Sequence, residues 1–104
     1  MRRDLPSRTV TFLFTDIEAS TKLLHELGPQ AYAVALSEHR RALRGAFSRH
    51  GGVEVDTQGD AFFVAFPTAA GGVGAAADAQ QALGAGPIRV RMGLHTGTPD
   101  LTEE

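Results

Sequence analysis

Two aspartates stand where strand-forming runs meet turns. Asp16 closes TVTFLFTD (9–16), and Asp60 precedes AFFVAF (61–66). Singly, each has an ordinary explanation: Asp16 can cap a following helix, and Asp60 can serve a turn beside Gly59. Brought together, two carboxylates repel unless one takes a proton or a cation lies between them. The chain has no cysteine, so a metal held here would have hard oxygen ligands, which suit Mg²⁺ or Mn²⁺. Glu18, Ala19, Ser20 and Thr21 follow Asp16 and open a predicted helix. The start of a helix offers unpaired N–H groups to an anion. A divalent cation beside such a helix start makes a site for a nucleoside triphosphate, and two ions would support in-line displacement at phosphorus.

The elements that must position these groups follow from periodicity. Residues 8–16 predict a strand in which Val10, Phe12 and Phe14 alternate with Thr9, Thr11, Leu13 and Thr15, apolar enough on both sides to be central. A short helix is expected over 18–27, with Leu23, Leu24 and Leu27 on one side, broken at Gly28-Pro29. A longer helix over 30–50 carries Tyr32, Leu36, Leu43 and Phe47 on an apolar face and Arg40, Arg41 and Arg44 on a solvated one. Strands are expected over 53–57 and 60–66, joined by a Gln58-Gly59 turn. A helix over 68–84 keeps its spacing through Val73, Ala76, Ala77 and Leu83, and a last strand covers 88–95.

The order β-α(α)-β-β-α-β predicts an α+β, ferredoxin-like fold: an antiparallel sheet in spatial order 4-1-3-2 with helices packed on one face. In that order the end of the first strand lies beside the start of the third. Asp16 and Asp60 then share one sheet end, and the functional reading gains over the two ordinary ones.

At 104 residues the chain makes one domain, 42% hydrophobic and 21% charged, with a formal net charge of −2. That balance gives no basic field for nucleic acid. There is no secretory leader pattern and no membrane-spanning apolar run, so a cytoplasmic protein is expected, without nucleic-acid or membrane partners. The expected organisation is a tail over 1–7, a core over 8–97 and a terminal loop over 98–104.

FTDIEAST, DTQGDAFFVAF and RVRMGLHTG, spread from about Thr9 to Gly97, resemble the class III nucleotidyl cyclase catalytic domains, in wording closest to bacterial, actinobacterial-type adenylate and guanylate cyclases. The resemblance implies conversion of ATP or GTP to a 3′,5′-cyclic nucleotide and pyrophosphate with two Mg²⁺ or Mn²⁺ ions, in cyclic-nucleotide signalling. Asp16 and Asp60 match the metal-binding aspartates, and Ile17 the residue whose backbone carbonyl joins them. Glu18, Ala19, Ser20 and Thr21 match the segment whose backbone meets the triphosphate. Asp56 stands at the purine-reading position, supplied in trans by a partner in a head-to-tail homodimer or in a pairing with another cyclase-type domain. Lysine (for ATP) or glutamate (for GTP) is usual there, and glycine is usual at Ala19. The family's transition-state asparagine and arginine come later in its domain than Glu104, so the resemblance implies an incomplete core and weak or no turnover by this chain alone.

Two other readings stand beside it. One is a non-catalytic, cyclase-like dimerisation or regulatory module. The other is a different ferredoxin-like phosphotransfer domain with the same sheet-end carboxylates, which the DIEAST and DTQGD wording disfavours. His25 and His39 are expected as surface or helix-face residues, His50 as a helix-ending residue and His95 as structural. Gly71, Gly72 and Gly74 lack a following Gly-Lys-Ser/Thr, and close helix packing explains them better than a phosphate loop.

Overall fold

The computed structural model describes residues 9–98. The expected tail over 1–7 and the loop beyond 98 lie outside them, apart from Thr98 itself. The elements are β1 (Val10–Ile17), α1 (Ser20–Leu27), α2 (Pro29–Arg49), β2 (Val53–Gln58), β3 (Ala61–Phe66), α3 (Ala69–Leu83) and β4 (Val90–Gly97). The four strands form one antiparallel sheet in the order β2-β3-β1-β4, the α+β arrangement expected from the sequence.

β1 is central, pairing Leu13 with Val64 of β3 and with Leu94 of β4. Its buried side is Thr11, Leu13, Thr15 and Ile17, the helix-covered face. Phe12 and Phe14 point the other way, and Phe14 is 60% exposed. Phe63 of β3 joins them there, its ring centroid 5.0 Å from Phe12 and 4.7 Å from Phe14. Among the described residues this second sheet face carries no covering helix.

The main core gathers Leu13, Phe62, Val64 and Phe66 of the sheet against Leu43, Ala46 and Phe47 of α2 and Ala75 and Ala79 of α3. Phe47 meets Phe62 and Phe66 edge-on. A smaller cluster of Ile17, Ala35 and Ile88, with Leu23, Leu27 and Leu36 against it, fastens α1 to the carboxylate-bearing end of β1. Leu24 is 41% exposed and departs from the side expected for it.

α3 departs too. Its buried residues are Gly72, Ala75 and Ala79, while Val73 and Ala77 face out. The helix packs through its small residues because they alone let it come close: a Cβ on Gly72 would lie 2.8 Å from Thr11 Cγ2, and one on Gly74 would lie 2.6 Å from the His50 ring. His50 closes α2 and its Nε2 meets Asp78 Oδ2 of α3 at 2.7 Å. Among the described residues, no helix is long and apolar enough to cross a membrane.

Candidate functional site

β1 runs on through Asp16 to Ile17, and Glu18 N–H still donates to the C=O of Arg89, the residue before β4, at 2.8 Å. α1 therefore begins at Ser20, two residues later than expected. Its N-cap is Ala19, at φ 53° and ψ 44°, the one non-glycine residue with positive φ among the described residues. The first turn of α1 has no capping side-chain bond and no acidic residue, so its leading N–H groups are not claimed by a local carboxylate. Glu18 and Ala19 are exposed, Ser20 is half-buried and Thr21 is exposed, so the expected phosphate segment is accessible.

Asp60 is a turn residue rather than the first residue of a strand. Gln58 pairs with Ala61, which leaves Gly59-Asp60 as a two-residue hairpin loop. Gly59 has φ +60°, a conformation only glycine adopts freely, at the position where type II′ hairpins place it. Thr15 pairs with Phe62, so Asp16 follows on beside Ala61, and Asp60 lies one residue further at the same sheet end.

The two carboxylates have different neighbours. Arg91 of β4, register partner of Asp16, donates to it twice: Nε to Oδ1 at 2.8 Å and Nη2 to Oδ2 at 2.9 Å. That hydrogen bonding holds the Asp16 carboxyl below its usual range. The charge of Asp60 is felt on α2. The Tyr32 phenol is pushed up by burial and then by Asp60, and burial pushes the His39 imidazole down against the pull of Asp60. His39 is 1% exposed, a correction to the surface role expected for it, and neither ring nitrogen has a hydrogen-bond partner among the described residues.

Among the described residues, no three His, Asp or Glu side chains already converge on one point. The donor set nonetheless fits a magnesium-type ion, which takes one or two protein carboxylates and completes its shell with water and substrate phosphate. Arg91 is the group that sequence reasoning missed. Its neighbours along the chain carry no sign of Asp16, because its partner lies 75 residues off.

Asp56 reaches the exposed sheet face through a bulge. Glu54 pairs with Val64 and Asp56 with Phe63, so Val55 is an extra residue in β2. Strict alternation would have set Asp56 opposite Phe62, on the helix side. The bulge puts it in register with the exposed aromatic group instead. A depression of about 300 Å³ on that face is lined by Phe14, Asp16, Ala61 and Arg91, among others.

The same architecture occurs in solved proteins. The Trypanosoma brucei adenylate cyclases in their monomeric state superpose with a TM-score of 0.79 at 26% identity, over 96% of this chain and 61% of theirs. An uncharacterized Mycobacterium tuberculosis protein is 39% identical over 101 residues, which is 95% of this chain and 35% of that protein. The adenylate cyclase of Lachancea kluyveri is 48% identical over 63 residues, 61% of this chain and 3% of that enzyme. The chain thus spans about a third of the mycobacterial relative and a small part of the yeast one. Residues 4–84 match the adenylate and guanylate cyclase catalytic domain. That match takes in both aspartates and the bulged strand, and with the shared architecture it makes the chain a member of the adenylate and guanylate cyclase catalytic domain family.

Proposed function

We propose that this chain supplies the metal and triphosphate half of a purine nucleotidyl cyclase site. The observation that carries this reading is the β1–β3 register, which sets Asp16, at the end of β1, and Asp60, in the β2–β3 turn, at the same end of the sheet as the start of α1. The two carboxylates and the Ile17 carbonyl would hold Mg²⁺ or Mn²⁺. Such ions, when bound, supply Lewis acidity at the α-phosphorus and acidify the attacking 3′-hydroxyl. The backbone N–H groups of Ala19, Ser20 and Thr21 would meet the triphosphate, while that of Glu18 is held by Arg89 C=O and keeps this segment against the sheet end. Arg91 lends positive charge at the same place once Asp16 turns to a cation. Cyclisation joins the ribose 3′-oxygen to the α-phosphorus and expels pyrophosphate.

Asp56 belongs to the other half of the reading. It lies on the sheet face that carries exposed Phe14 and half-buried Phe12 and Phe63, an apolar surface suited to a second cyclase-type subunit in a head-to-tail pair. From there it would read the purine of the partner's nucleotide. An aspartate only accepts hydrogen bonds when ionised, so it suits the N1–H and N2–H donors of guanine or the amino group of adenine.

The bidentate Asp16–Arg91 pair favours a second reading, a cyclase-like pairing module whose metal carboxylate is already neutralised. Calorimetric titration with Mn²⁺–ATP and Mn²⁺–GTP, on the parent chain and on Asp60→Ala, separates the two. Metal-dependent binding that falls at least about tenfold in the variant is the expected result. Absence of binding by the parent for either nucleotide overturns the cyclase-site reading and leaves the pairing module.

A further inference from the structure

The β2–β3 turn is fastened to α2 by a bond that ends on the residue before Asp60. Arg40 Nη2 donates to Gly59 C=O at 2.9 Å. That carbonyl belongs to the peptide unit joining Gly59 to Asp60, whose plane also contains the Asp60 nitrogen and Cα. Fixing the carbonyl therefore fixes the N–Cα bond of Asp60 and with it the point from which its side chain leaves the turn. The need for such a tie is plain. The loop has only two residues, and one is a glycine with few conformational limits of its own.

One helical turn further on, Arg44 holds the same hairpin without touching the turn. Its Nε and Nη2 meet Glu54 Oε2 and Oε1 at 2.9 and 3.3 Å, and its guanidinium lies 5.1 Å from the Phe62 ring centroid. The basic stripe read from the sequence as a solvated face is therefore in part a clamp. Arg44 anchors the body of the hairpin, and Arg40 anchors its tip. Tyr32 and His39, on the same side of α2, sense the opposite charges of Asp60 and Arg40 together, as expected if the two lie close at that tip.

We propose that Arg40 is a positioning residue of the metal half-site, pinning the Gly59–Asp60 peptide so that the Asp60 carboxylate is presented at the sheet end beside Asp16. This rests on the cyclase-site reading above. A metal site tolerates little misplacement of its ligands, and removal of a group that orients one typically costs ten- to a hundredfold in metal affinity or activity.

The test compares Arg40→Ala, Arg40→Lys and Arg44→Ala with the parent and with Asp60→Ala. Mn²⁺–ATP and Mn²⁺–GTP affinity is read by calorimetry, the folded state by thermal melting, and the turn by the ¹⁵N relaxation of the Gly59 and Asp60 amides. Arg40→Ala is expected to bind at least about tenfold more weakly and to gain fast motion at both amides. Arg40→Lys, which keeps a donor and the charge, should recover part of the loss. Arg44→Ala should melt earlier yet bind like the parent. Parent-like binding by Arg40→Ala, with Asp60→Ala inactive in binding, overturns the clamp and leaves the site standing. Equal weakening by Arg44→Ala also overturns it, since general loosening of the hairpin would then suffice. A parent that binds neither nucleotide overturns the site itself, and the clamp's role with it. Unchanged amide relaxation in Arg40→Ala overturns the pinning whatever the calorimetry gives.

Discussion

Ala19 sits in the left-handed region at the junction between β1 and α1, with φ 53°. An L-residue with a Cβ pays roughly 1–2 kcal/mol there, which glycine avoids. The chain must double back from strand to helix within two residues, and that geometry decides the conformation, not the side chain. Ala19→Gly should therefore stabilise the chain by about 1 kcal/mol, a rise of several degrees in melting midpoint for a domain this size. A lowered midpoint would mean that the junction relaxes in solution to a conformation alanine prefers. At this scale the sequence showed residue types well and surroundings poorly. Asp16 and Asp60 singly fit a cap and a turn, and only the strand order, which sets both at one sheet end, gives their identities more weight. His39 was not legible, because its burial depends on how α2 lies on the core, and one histidine at helical spacing fits either a core or a solvent face. Arg91 was invisible as a partner of Asp16, since only strand register brings the two together.

Elements were legible wherever one periodicity dominated. α2 shows its apolar stripe through Leu43 and Phe47, and both are buried. α3 does not, because its packing face is made of glycine and alanine, which scarcely differ in hydropathy from its exposed positions. Steric fit reveals that face. Gly72 in α3 and Gly45 in α2 are both helical glycines, and helix propensity alone gives each a gain of about 1 kcal/mol on conversion to alanine. A Cβ at Gly45 meets only the far end of the Arg49 side chain, at 3.4 Å, whereas one at Gly72 drives into Thr11 at 2.8 Å. Gly45→Ala should thus raise stability by about 0.5–1 kcal/mol, and Gly72→Ala should lower it by about 1 kcal/mol after overpacking is set against propensity. Denaturant midpoints measured side by side would show opposite signs; equal signs would mean α3 stands further from the sheet. The bulge in β2 had no signal of this kind. Val53 and Val55 looked like ordinary alternation, and only pairing with β3 shows that Val55 is extra and that Asp56 is thereby turned to the aromatic face.

For the molecule as a whole, the order of elements was enough to fix the sheet, because a β-α-β-β-α-β chain of this length has few ways to bury one face of four strands. What binds the layers at the surface was not readable, and it has a consequence for acid stability. Three carboxylates tie separate elements together: Asp16 to Arg91 across β1 and β4, Glu54 to Arg44 between β2 and α2, and Asp78 to His50 between α3 and the end of α2. In each case the hydrogen-bonded partner named is the largest cause of a carboxyl pKa below its ordinary value. A lowered folded-state pKa means that the unfolded chain takes up protons first as pH falls. The stability from these pairs is therefore complete above the ordinary carboxylate range, near pH 4, and is lost as pH drops through the lowered folded values. All three pairs are exposed or half-exposed, so each contributes little, and the sum is felt as a slope rather than a collapse. Glu54→Gln isolates one of them. It should cost about 0.5 kcal/mol at neutral pH, and that cost should fade as pH falls below the ordinary carboxylate range and the parent's own carboxyl takes up its proton. Urea unfolding of the two chains across that range is the check. A cost that persists undiminished at the acid end would show that Glu54 acts through its packing or its bond to the Thr57 hydroxyl rather than through its charge on Arg44.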